Sequence, residues 1–424
     1  MKKFMTNNQA GTLAEFRQGG WVLLGCFLGI VICAPSIGGY LSGVFLQPLE
    51  GEFGWSRTAI SLQSLFSISV FAFTAPLAGR IIDKFGVRWI AFLSFILFGI
   101  AQYSLSFLNG SLVQYYVLSI IIAVVAAGTT PVVFTKIINA WFDKARGLAL
   151  GISLLGAGLT ATIGPILLTG YVDENGWRAG YQLLAYAVVL GTVIVVLLIR
   201  DFPVTVGGDG QQEKDSGSNQ KSGMNWRKAI ASRSFILIGA AFIMISLSVG
   251  GLLLHFIPMM TEYGMTRPEA AQAASLVGLA VLIGRIGTGI LIDRYFAPRV
   301  ALIMVLCAAV GYLALLLGGV QFAFITALAV GFTVGAEIDL IGYLAARYFG
   351  LKNYGVIYGI LYGITVFGVG IAPLFTGLAF DIFGSYNPAI LISAVGLVIA
   401  ALLFTRMPPF PSNFDETEAV TNAN

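Results

Sequence analysis

The chain has 424 residues, of which 57% are hydrophobic and only 10% charged, with a formal net charge of +4. Soluble domains carry about 25% charged residues, so this composition excludes an ordinary soluble domain and points to an integral membrane protein. The small basic excess is no nucleic-acid footprint. Cys26, Cys33 and Cys307 lie within apolar runs with neither metal-ligand spacing nor a disulfide framework, and they read as buried, inert thiols.

The polar start, MKKFMTNNQAGTLAEFRQGG, precedes an apolar run too long for a signal-peptide core. The first helix is therefore expected to be retained. A helix needs about 20 apolar residues to cross a bilayer. Twelve such runs are expected, at 20–47, 58–81, 88–107, 112–140, 145–171, 179–200, 234–259, 269–293, 299–318, 321–346, 354–380 and 386–405. They are too long for barrel strands and do not alternate as such strands must.

With both termini placed in the cytoplasm, the basic residues outside the spans fall on that side except Arg57, Arg178 and Arg267, as the positive-inside bias asks. Glu262, beyond span seven, reads as a solvated loop residue. Residues 204–228, VTVGGDGQQEKDSGSNQKSGMNWRK, are rich in Gly, Ser, Gln and charge and are expected to form a flexible linker. The expected organisation is a cytoplasmic tail over 1–19, a six-helix bundle over 20–203, a linker over 204–232, a second bundle over 233–406 and a tail over 407–424.

The two halves repeat. Aligning AGRIIDKFGVR with TGILIDRYFAPR sets Gly79 on Gly289 and Asp83 on Asp293. Aligning 147–176 with 355–384 sets Gly147 on Gly355, Gly151 on Gly359, Pro165 on Pro373, Asp173 on Asp381 and Gly176 on Gly384. Matches in consistent register argue for a duplicated six-helix unit. Parallel halves of this kind hold a site near the bilayer midplane. The fold class expected is an all-α membrane protein with twelve transmembrane helices in two pseudo-symmetric six-helix bundles.

GRIIDKFGVRW (79–89) and RGLALGISLLGAGLTATIGP (146–165) resemble segments of the major facilitator superfamily. EFGWSRTAIS (52–61), GRIGTGILIDRY (284–295) and AARYFGLKNYGVIYGILYG (345–363) resemble its oxalate/formate antiporter and monocarboxylate transporter branch. The resemblance implies alternating access and a small carboxylic acid substrate.

Arg285 is the only charge in AAQAASLVGLAVLIGRIGTGILI (270–292). A guanidinium at the centre of a span costs about 2.5–3.5 kcal/mol on insertion scales, and intramembrane charges are functional by default. It lies eight residues before Asp293, about 12 Å by helical rise, too deep to reach the interface easily. Its planar fork matches a carboxylate bidentately. The resemblance likewise places a substrate-binding arginine at this GR pair. Pairing with Glu337 or Asp339 is the plain structural alternative.

Lys136, near the end of span four, reads as a snorkelling residue. Glu337 and Asp339 project about 200° apart on a helix, so only one can face a given site; with His255, the sole histidine, they are the proton-coupling candidates, Glu337 foremost. Tyr354, Tyr358 and Tyr362 recur along one face of span eleven, beside a second row of Gly355, Gly359 and Gly363. Tyr358 and Tyr362 are expected to line a pocket, with Tyr40, Gln63 and Tyr116 from the first half. The resemblance reads Asp83 and Arg80 as a cytoplasmic gate, repeated by Asp293 and Arg294.

Relative to that branch, Ser36 stands where animal-type monocarboxylate carriers have a lysine, and Val281 where they have an aspartate one turn before the arginine. GITVFGVGIAP (363–373) lacks the second cation of the oxalate exchanger. One arginine neutralises one charge, which favours a monocarboxylate of the lactate, pyruvate, acetate or formate class. The expected function is secondary active transport of such an acid, coupled to protons. Carboxylate exchange is the alternative, and a membrane acid sensor or drug exporter is less favoured. Neither enzymatic chemistry, cofactor nor metal is expected. The expected partners are the acid, protons and the lipid bilayer, with the chain a monomer in the cell (inner) membrane.

Overall fold

The computed structural model describes residues 2–142, 145–199, 223–350 and 352–411. The linker up to residue 222 lies outside them, as do the side chains of Arg80 and Asp83. The chain is almost wholly helical. It begins with α1 (Lys2–Val31), α2 (Ala34–Tyr40), α3 (Gly43–Phe53), α4 (Arg57–Phe85) and α5 (Val87–Ser104). Then come α6 (Leu112–Val125), α7 (Pro131–Trp141), α8 (Arg146–Asn175), α9 (Trp177–Leu198) and the short α10 (Trp226–Ala231). The second half holds α11 (Arg233–Glu262), α12 (Arg267–Arg294), α13 (Ala297–Gly318), α14 (Ala323–Phe349), α15 (Tyr354–Phe383) and α16 (Asn387–Thr405).

Ten stretches of the described residues are long and apolar enough to cross a membrane, and one of them, Ala297–Phe349, holds both α13 and α14. With α4, 29 residues long, they correspond to the twelve expected spans. Span one is broken rather than continuous. Proline lacks an N–H and is best tolerated in a first helical turn, and Pro35 opens α2 behind an extended Cys33. Span four breaks likewise, through a 3-10 turn over Ala126–Thr129, before Pro131 opens α7.

The repeat has a local physical signature. α8 and α15 are both 30 residues long, each with its aligned proline inside. Each ends on a glycine with positive φ, 84° at Gly176 and 63° at Gly384, a region costly for any residue with a β-carbon.

By packing, the chain divides into two compact units, one of 1–203 with 253–279 and the other of 204–252 with 280–424. In the first unit α5 packs on α9, α1 on α8 and α9, and α4 on α6. Phe45 stacks on Tyr181 at 3.9 Å between ring centroids. Polar pairs join the 253–279 segment to α3, α4 and α8. Arg57 Nε binds Glu50 at 3.0 Å, its Nη2 binds Glu262 at 2.9 Å, and Arg267 binds Asp173 at 2.7 Å. Glu262 is thus a partner of a buried arginine rather than a plain solvated loop residue. Thr266 and Glu269 form a capping box that starts α12: Thr266 donates to Glu269 through N–H and hydroxyl, both at 2.8 Å.

In the second unit α13 packs on α16 and α14, and α14 on α15. The segment after α16 folds back: Tyr348 Oη donates to the Pro408 carbonyl at 2.6 Å. The Phe410 ring lies 4.9 Å from both Tyr348 and Phe296, under the Arg347 guanidinium. Cys26 and Cys33 are buried, but Cys307 is exposed. The expectation of three buried thiols is corrected there: Cys307 sits on the exposed face of α13 with Ile303, Leu306 and Val310.

Candidate functional site

Arg285 is positioned by glycine. A β-carbon on Gly335 would strike the Val281 carbonyl, and one on Gly284 would strike the Phe332 backbone. The two helices cross where their backbones touch. One turn beyond the Val281–Gly335 contact on each helix, Arg285 of α12 meets Asp339 of α14. Gly335→Val is expected to destabilise the protein by about 1–3 kcal/mol through overpacking and to impair any function that needs the Arg285–Asp339 spacing. Thermal unfolding together with an uptake assay checks this.

The pair is loose. Arg285 Nε lies 3.7 Å from Asp339 Oδ2, with side-chain exposures of 21% and 36%, too long for a hydrogen bond. The Nε is buried and has no hydrogen-bond partner among the described residues. A buried donor left unmatched costs free energy, so Arg285 is charge-compensated but poorly coordinated. Tyr358 lies within electrostatic reach of both Asp339 and Arg285, and Tyr362 within reach of Arg285 and Glu337.

The tyrosines form a ladder along α15. Tyr354 and Tyr358 are 5.6 Å apart between centroids, and Tyr358 and Tyr362 are 5.8 Å apart, with rings tilted by 16° and 13°. Beside the ladder lies an open cleft of about 400 Å³ lined by Ile292, Ile338, Asp339, Gly342, Tyr343, Tyr354 and Tyr358. Asp339 therefore faces both Arg285 and accessible space.

Glu337 points the other way, as helical geometry requires. It is buried, 8% exposed, and accepts a 2.6 Å hydrogen bond from Ser246 of α11. Ser246 was invisible to sequence reasoning: one hydroxyl in an apolar span resembles every other. The available signal was its place in a helix that must pack on the acid.

His255 belongs to the first unit, where it is fully buried and hydrogen-bonded to Ser61 at 2.9 Å. Tyr116, also there, donates its hydroxyl to the Ala59 carbonyl at 2.9 Å, and Gln63 accepts from Ser67. Tyr40 is partly buried, Lys136 exposed. In the second unit Asp293 and Arg294 are exposed at the end of α12. The structure thus brings together Arg285, Asp339, Glu337, Tyr358 and Tyr362. It does not describe the side chains of Arg80 and Asp83.

The profile of the Major Facilitator Superfamily matches residues 26–338 and 256–423. The chain belongs to this superfamily. Its members are membrane transporters rather than enzymes. Among curated relatives, the MFS transporter asaE of Aspergillus flavus is 25% identical over 390 residues, covering 90% of this chain and 83% of that protein. The riboflavin transporter MCH5 of Saccharomyces cerevisiae is 20% identical, covering 87% and 74%. Monocarboxylate transporter 12 of Xenopus laevis is 21% identical, covering 91% and 88%. Among solved structures, a bacterial homolog of the human lysosomal transporter Spinster, inward-facing and unoccupied, aligns with a TM-score of 0.71 at 18% identity over 91% of this chain and 96% of that one. The superfamily fold accords with an almost wholly helical chain of membrane-spanning length.

Proposed function

We propose that this superfamily member carries a small monocarboxylate, coupled to protons, by alternating access. The carrying observation is Arg285: a guanidinium set deep in an apolar span, with a buried Nε that no described residue hydrogen-bonds and a carboxylate 3.7 Å away that compensates without hydrogen bonding. A substrate carboxylate supplies the missing acceptors. Asp339 is the resident counter-ion that the substrate displaces. It reaches Arg285 from α14, in place of the aspartate absent at Val281. Tyr358 and Tyr362 stand within reach of the bound anion, and Tyr40, Gln63 and Tyr116 are proposed contacts from the first unit.

The likeness to a monocarboxylate transporter supports this reading at the level of substrate class. The riboflavin transporter among the relatives means that likeness alone does not select it, so the weight rests on Arg285. Glu337 is proposed as the proton-carrying acid, with His255 and Asp339 as the other candidates. Asp293 and Arg294, with Arg80 and Asp83, are proposed as a gate on the cytoplasmic side, both termini lying there in the cell (inner) membrane. In reconstituted vesicles, an inward proton gradient is expected to drive accumulation of radiolabelled lactate or acetate without internal substrate. Uptake that ignores the gradient and requires internal carboxylate replaces coupling with exchange.

A further inference from the structure

Ser246 holds a position with one hydrogen and two claimants. Its hydroxyl lies 2.6 Å from Glu337 Oε1 and 2.8 Å from the Phe242 carbonyl, one turn back on its own helix. Both Ser246, at 0% exposure, and Glu337, at 8%, are buried. A hydroxyl donates only once but also accepts. When Glu337 is ionised, Ser246 donates to it. When Glu337 carries a proton, the acid donates to Ser246, and Ser246 donates to the Phe242 carbonyl. In both states Glu337 keeps a hydrogen bond to Ser246, and the change between them is a rotation about one side-chain bond.

We infer that Ser246 is a positioning residue for proton coupling, keeping the buried Glu337 satisfied in both its loaded and its empty protonation state. The inference rests on the proposed role of Glu337 and names the residue that makes that role workable. An acid buried in a span without such a partner would be trapped in one state, because an unmatched carboxylate in a dry site is costly.

The surroundings suit a two-state acid. From α12 the charged group in reach of the same cluster is Arg285, and from α15 the titratable group is Tyr362. On α14 itself Asp339 projects to the Arg285 side. α13 carries Arg299 in its first turn and no other charged residue. On α11, near Ser246, the neighbouring polar group is Ser248, whose carbonyl accepts from Tyr312. Thus Ser246 is the hydrogen-bond partner placed on Glu337. The β-carbon of Ser246 also lies against Gly368 of α15.

The test compares proton-driven uptake with substrate counterflow, which needs no net proton movement, in reconstituted full-length protein. Ser246→Ala is expected to move the pH of half-maximal proton-driven uptake upward by about one unit, a tenfold change in proton concentration, while counterflow at saturating substrate stays within about twofold. Ser246→Cys, near-isosteric with a weak donor, gives the same comparison should the alanine variant fail to insert. An unmoved pH profile with counterflow and uptake reduced alike makes Ser246 a packing residue and overturns the inference. Proton-driven accumulation surviving in Glu337→Gln also overturns it, yet leaves carboxylate binding by Arg285 standing. Uptake surviving in Arg285→Ala removes Arg285 as the group that binds the carboxylate.

Discussion

Arg285→Ala is expected to abolish carboxylate uptake while the protein still inserts and folds. The guanidinium is retained in the span at a cost of a few kcal/mol, so its loss removes an expense and no essential packing. Asp339, with 36% of its side chain exposed on the open cleft, can be hydrated or protonated once its partner is gone. Substrate binding has no such fallback, since the other cations of α12 and α14, Arg267, Arg294 and Arg347, stand in the first or last turns of those helices. Arg285→Lys separates charge from geometry. A lysine keeps the charge but loses the planar fork and its parallel hydrogen bonds. Hydrogen bonds to charged groups contribute about 1.5–3 kcal/mol each, so kcat/KM is expected to fall by about ten- to a hundredfold. Uptake in proteoliposomes and thermal stability in detergent measure the two sides. Full activity in either variant ends the assignment.

Much of the architecture was legible because membrane-scale hydrophobicity and the positions of Gly and Pro are written directly into the chain. Gly176 and Gly384 align in the sequence and both take positive φ where equal-length helices end. Pro35 and Pro131 carry a signal too, and the continuous runs expected at spans one and four overlooked it: apolar content says nothing about where the backbone N–H ladder is interrupted. The opposed directions of Glu337 and Asp339 followed from helical periodicity alone. Which neighbour each acid would meet did not follow, because that depends on how closely helices approach. Gly335 and Gly284 set that approach for α14 and α12, and a glycine in a span has many readings until its neighbour is known. Arg57 illustrates a different limit. A charge beside a helix start reads as exposed, yet it is 4% exposed because Glu50 and Glu262 both converge on it.

Asp339→Asn is expected to make the empty protein less stable and the anion-bound protein comparatively more so. With Asp339 neutral, Arg285 keeps its charge in a poorly hydrated place with no compensating partner. Removing one member of a fully buried pair costs about 3–5 kcal/mol. Here both side chains retain some solvent contact and the pair is 3.7 Å apart without a hydrogen bond, so about 1–2 kcal/mol is expected. A small carboxylate then restores the balance on binding, and it no longer competes with a resident anion. Its dissociation constant should fall several-fold, and its stabilising shift in thermal unfolding should grow, since a ligand that binds the native state alone stabilises it in proportion to the logarithm of concentration over affinity. Release should slow for the same reason, so turnover at saturating substrate is expected to drop even as affinity rises. A neutral amide analogue of the same acid, lacking the charge, should give none of the added protection. If the variant binds acids no more tightly than the parent chain, then Asp339 is not what the substrate displaces.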